Sequence, residues 1–93
     1  MSIRITAIRL SGGTSHEHIV HLWWTDPATN QPGNGSRSTV IFWMETKGGQ
    51  AYVDDGRGNH VSVAVATPSH GEKYLRTHAD GVWTDNLLAL HHR

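Results

Sequence analysis

The sequence predicts an α+β domain, a small and mainly antiparallel sheet with one central helix packed on it. Three observations predict it. Val61, Val63 and Val65 alternate with Ser62, Ala64 and Ala66, the period-two pattern of a strand with two unlike faces. Ser36 and Gly48 bracket a helical stretch with Lys47 in its last turn, and Val40, Ile41, Trp43 and Met44 share one arc of the wheel. Strand-like runs flank this one helix on both sides, which places it on a face of the sheet.

Taken in order, Ile3 to Leu10 is rich in β-branched residues and reads as a strand. Its apolar parity shifts from Ile3, Ile5 and Ala7 to Ile8 and Leu10, so it carries a bulge or is buried on both faces. Ser11 to Ser15 is a flexible turn. For residues 16 to 24 two readings stand. Thr14 with Glu17 three residues on fits a capping box that would open a helix. The alternation of Val20, Leu22 and Trp24 with Ile19, His21 and Trp23 favours a strand antiparallel to the first, closed by Thr25-Asp26-Pro27. Asp26 to Gly35 reads as a loop with Asn34-Gly35 as its tight turn.

After the helix, Gln50 to Asp54 reads as a short strand, Asp54 to Asn59 as a hairpin loop and His60 to Ala66 as the clearest strand. Pro68 to Gly71 makes a turn, and Lys73 to Thr77 is the last main strand, with Asp80-Gly81 as a turn after it. Asp85 is placed to cap a short closing helix whose Leu87, Leu88 and Leu90 dock on the core. The predicted order is therefore ββαβββ with a C-terminal helical turn. The predicted core comprises Val20, Leu22, Ile41, Met44, Val61, Val63, Val65 and Leu87.

Composition bounds the function. A chain of 93 residues makes one domain, residues 1–93, with room for a single core. Eight Lys and Arg balance eight Asp and Glu, so nucleic acid is an unfavoured partner: the usual basic footprint is missing. The eight histidines would make the chain cationic below about pH 6. With no cysteine there is neither disulfide nor thiolate chemistry. The first residues lack the apolar core of a signal peptide, and no apolar run approaches the ~20 residues of a membrane span, so the expected location is cytoplasmic.

Three motifs carry a resemblance. Lys73-Tyr74-Leu75-Arg76-Thr77, Asp80-Gly81 and Asp85-Asn86-Leu87-Leu88 form the first, and His16-Glu17-His18-Ile19 the second. The third is Ser36 with Val40-Ile41, Trp43 and Gly48. Together they resemble an uncharacterised small-domain family of bacteria and their phages, over nearly the whole chain. The family's closing Leu-Pro is Leu90-His91 here. The resemblance implies domain limits and a central helix, and no activity. Each motif residue also has a structural reading. Tyr74 and Leu75 anchor opposite strand faces, and Asp80-Gly81 supplies a positive φ. Arg76 can pair with Asp80 or Asp85, while Asp85 and Asn86 can bond backbone at a helix start.

Candidate chemistry is sparse. His16, His18 and His21 are the candidate metal ligands of a metal-dependent enzyme. In a strand they split two and one between the faces, and in a helix Glu17 and His18 come nearer to His21. Their spacing is not H-E-x-x-H, so no metal or other cofactor is assigned. Asp54 to Asn59 lacks the spacing of a calcium loop. Gly33-x-Gly35 before Ser36 gives only a weak phosphate signal. No nucleophile motif is present, and no catalytic residue is named. The favoured reading is a non-catalytic protein-interaction module, with a host protein as partner if the phage resemblance extends to function, or a homo-oligomer. Phe42 points away from the helix's apolar arc, and Trp23 away from Val20, Leu22 and Trp24, so these two aromatics are the candidate contacts. A weak nucleic-acid binder using Arg4, Arg9, Arg57 and Arg76 is the remaining alternative.

Overall fold

Strand β1 (Ser2–Leu10) organises the fold in the computed structural model, which describes residues 2–54, 57–79 and 81–93. On one side it pairs antiparallel with β2 (Ile19–Thr25). On the other it runs parallel to β4 (Gln50–Asp54) over Ser2 to Arg4, and to β8 (His91–His92) at Ala7 and Ile8. The remaining strands are β3 (Pro32–Ser36), β5 (His60–Ala66), β6 (Tyr74–Ala79) and β7 (Val82–Thr84). Their order across the sheet is β3-β2-β1-β4-β5-β6-β7. The sheet is mixed but mostly antiparallel.

The predicted ββαβββ order is corrected here, because the described residues form eight strands around the one helix. Two extra strands are short edges, β3 and β7, and β8 fills the space beside β1 beyond the end of its pairing with β4. Such strands carry little hydrophobic periodicity of their own. Neighbouring backbone decides them.

The parity shift in β1 is a bulge. Ile5 faces Trp24 and Ala7 faces Trp23, which leaves Thr6 as the extra residue. A second irregularity pairs Arg9 with His21 and Leu10 with Ile19, leaving Val20 over. That slip turns Val20 out to 37% exposure, against its predicted place in the core, while Ile19 and Leu22 are fully buried. Of the two readings of residues 16 to 24 the strand holds from Ile19, and one 3₁₀ turn, His16–His18, stands where a helix would have opened. Ser15 precedes that turn without a side-chain cap, so the Thr14–Glu17 capping box does not form.

The predicted loop from Asp26 to Gly35 is half strand. Asp26 closes the turn early: its carboxylate accepts from the Ala28 N–H at 2.9 Å and its carbonyl from the Asn30 N–H at 2.7 Å. Asn34-Gly35, predicted as the tight turn, instead lies within β3. Gly33 is needed there, because a Cβ would run into the Trp24 indole.

Helix α1 (Arg37–Lys47) forms as its ends dictate. The Ser36 hydroxyl accepts from the Thr39 N–H at 3.3 Å, and Gly48 takes the left-handed conformation at φ 66°. Val40 and Ile41 are buried with Trp43 and Met44 packed beside them, as the wheel predicts. The core gathers these residues with Ile3, Ile5, Leu22, Val53, Val63 and Leu75 from the sheet, and Leu87 from the C-terminal segment. That segment is not a regular helix. Ala89 and Leu90 donate backbone hydrogen bonds to Asp85 and Leu87, making turns that lead into β8.

Candidate functional site

An exposed aromatic stands beside the outer side of α1. The helix turns Ile41 inward, which forces Phe42 outward to 63% exposure. Phe42 overlooks a depression of about 490 Å³ between α1 and the segment from Gly71 to Lys73. Two ion pairs bridge the walls. The Arg37 guanidinium meets the Glu72 carboxylate at 2.7 Å, and Lys73 meets Glu45 at 2.8 Å. Arg37 also donates to the Glu17 carbonyl at 2.6 Å, so one side chain ties the helix start to the 3₁₀ turn.

Arg37 and Glu72 also border two smaller hollows of about 220 Å³ each. One is flanked by Glu17, His18 and His70, and the other by Val20. The three hollows share Arg37 and Glu72 and make a trough bordered by two exposed apolar groups, Val20 and Phe42, with opposite charges beside them. Chemically it suits an extended segment that carries an apolar side chain next to polar or charged ones.

The three candidate histidines go three ways. His16 is buried, with its Nε2 3.8 Å from an Asp85 carboxylate oxygen and without a hydrogen bond. His18 faces Ser15, its Nδ1 2.8 Å from the hydroxyl. His21 lies on the far face of the sheet, its Nε2 2.9 Å from the Asn34 amide oxygen. Among the described residues no group of three or more His, Cys, Asp and Glu side chains is arranged to hold a metal ion. The Asp54 to Asn59 loop includes residues 55 and 56, outside the described set. Gly33 and Gly35 lie under Trp24.

Trp23, the second candidate contact, is half-buried. The guanidinium carbons of Arg9 and Arg93 sit 5.2 and 4.7 Å from its ring centroid, and His21 packs against its side. Phe42 is therefore the freer of the two. In the C-terminal motif Leu75 and Leu87 are fully buried, Tyr74 is half-buried and Gly81 has φ 79°. Asp80 lies outside the described residues. Arg76 donates to Asp85 at 3.1 Å and to the Thr84 carbonyl at 3.2 Å, so the Asp85 carboxylate is turned toward β6 and not toward a helix start. Asn86 is half-buried in the turns that follow.

Sequence reasoning missed the ion pairs, whose partners lie 28 and 35 residues apart. It also missed Trp83 and Val82, which are 42% and 62% exposed on edge strand β7. The two exposed side chains had a usable signal, an apolar pair directly after a turn.

The chain belongs to a family described as protein of unknown function (DUF3892), whose model matches residues 4–91. No curated protein and no solved structure matches it. Among the described residues no helix is long and apolar enough to cross a membrane.

Proposed function

We propose that this member of a family of unknown function is a protein-interaction module that acts by binding and not by catalysis. The observation that carries the reading is Phe42, held 63% exposed over a depression of about 490 Å³ with charged pairs on its rim. An aromatic ring kept in water loses the stabilisation it would gain by burial, and a partner's apolar side chain in the depression would recover it. The rim presents both signs, Arg37 and Lys73 beside Glu72 and Glu45, which suits a partner segment with charges around one apolar residue. A foreign protein is the favoured occupant, with a second copy of the chain as the alternative. The bacterial and phage resemblance is what suggests a host protein as that partner.

The test compares the natural chain with Phe42→Ser and Trp23→Ser. Phe42→Ser is expected to keep its melting temperature and to lose at least tenfold in affinity for a protein captured from a bacterial lysate and then purified, while Trp23→Ser retains that affinity. Light scattering run in parallel separates a second copy from a foreign partner. A Phe42→Ser protein that binds as before refutes the reading, and one that melts several degrees lower shows Phe42 to be structural.

A further inference from the structure

The face of the sheet turned away from α1 carries a pattern that the trough does not use. Residues directly opposite each other in a ladder project to the same face. One such row runs Trp83, His78, Ser62, Tyr52, Arg4, Thr25 and Pro32, crossing seven strands without a break. The adjacent row, Thr77, Val63, Ala51 and Ile3, is buried, so the first row lies on the side opposite the core.

Flat rings already associate on this outer face. Tyr52 and His60 stack with centroids 4.2 Å apart, and His78 meets the half-exposed Trp83 at 4.8 Å. Further along, Arg9 and Arg93 lie over Trp23. Arg9 Nε also donates to the Arg93 carbonyl at 3.0 Å, which holds the two guanidinium groups beside the Trp23 ring. Among the described residues Arg4, Arg9 and Arg93 belong to no ion pair, whereas Arg37 and Lys73 on the helix side are both neutralised. Among the described residues, Asp54 and Asp85 are themselves partnered.

We propose that this face binds single-stranded nucleic acid, with bases stacked on Tyr52 and Trp83 and phosphates held by Arg4, Arg9 and Arg93. Strands lie about 4.8 Å apart, so Trp83 and Tyr52 are separated by roughly 14 Å, and Trp23 stands a similar distance beyond. That spacing suits an extended chain of a few nucleotides, whose unstacked bases can reach the rings. A duplex hides its base faces and offers no such contact. Overall neutrality sets the strength: with about three phosphate contacts, binding is modest and falls with salt. The inference concerns a different surface from the trough and stands or falls separately from it.

The test is fluorescence anisotropy with labelled oligo-dT and oligo-U of about fifteen nucleotides at low and at physiological salt. Binding at low salt that weakens as salt rises is expected. Tyr52→Ala and Trp83→Ala should each weaken it about tenfold. Tyr52→Phe and Trp83→Phe should retain it. Arg4→Ala should lower affinity and flatten the salt dependence. Phe42→Ser should change nothing. Tighter binding of oligo-U would support the proposal with RNA as the ligand, and equal binding would support it for either strand. No binding at low salt overturns it. So does equal binding of a duplex of the same length, or binding that polyphosphate abolishes and both alanine variants keep. Should Tyr52→Ala disturb folding, Trp83→Ala on the exposed edge decides alone.

Discussion

Among the described residues His16 is the one side chain whose buried nitrogen lacks a partner, with Nε2 enclosed at 7% residue exposure. Burial lowers its pKa below the ordinary 6.5, the Arg76 guanidinium lowers it further, and Asp85 partly opposes them. A histidine with a depressed folded pKa binds its proton more readily once unfolded. Its contribution to stability is therefore complete above 6.5 and is lost as pH falls through 6.5 toward the lower folded value. We expect the melting temperature to drop between pH 7 and pH 5, and His16→Leu to remove part of that drop. Equal pH profiles for the two proteins would show that His16 is not responsible. Asp85 belongs to the same cluster. Its pair with Arg76 is largely exposed on the Asp85 side, so Asp85→Ala should cost no more than about 1 kcal/mol. With the carboxylate engaged by Arg76, Asp85→Ser should give no rescue, in contrast to a true helix cap, as thermal melts of both variants would show.

Among the elements, β5 and β3 lie at opposite ends of the scale. Val63 is buried at the centre of β5, opposite Ala51 on one side and Thr77 on the other. Val63→Asp would bury an unpaired charge at a cost of several kcal/mol, and loss of the cooperative thermal transition is expected. β3 is held by its fit to Trp24. Gly33→Val should push the indole off its seat, cost about 1–3 kcal/mol and shift tryptophan emission toward that of an exposed ring. Unchanged emission would mean that β3 moves in place of Trp24.

At the scale of the molecule, the two edges of the sheet differ. β3 is blunted by Pro32 and its glycines, while β7 exposes Val82 and Trp83 beside unpaired backbone. Concentration-dependent association should therefore run through β7, and Val82→Lys should suppress it in light scattering at high protein concentration without lowering the melting temperature. The charge balance is also a property of the whole molecule that averages unlike faces. Arg37 and Lys73 on the helix side and Arg76 on the far face are paired with carboxylates, while Arg4, Arg9 and Arg93 meet no carboxylate side chain among the described residues.

The local signals in the sequence determined what local physics governs. The caps at Ser36 and Gly48 set the limits of α1, valine alternation set the faces of β5, and the wheel put Phe42 outside, because each depends on neighbours within a turn or a strand. The parity shift in β1 signalled a bulge or burial on both faces without saying which, or where its partner would slip. Tertiary structure alone decided that Val20 faces solvent, that Pro32 to Ser36 is a strand and that residues 85 to 90 turn without a regular helix. It also brought Arg37 to Glu72 and Tyr52 to Arg4, pairs that periodicity cannot find. Backbone pairing and charge contacts between distant segments are set by which strand lies alongside, and no window along the chain contains that information.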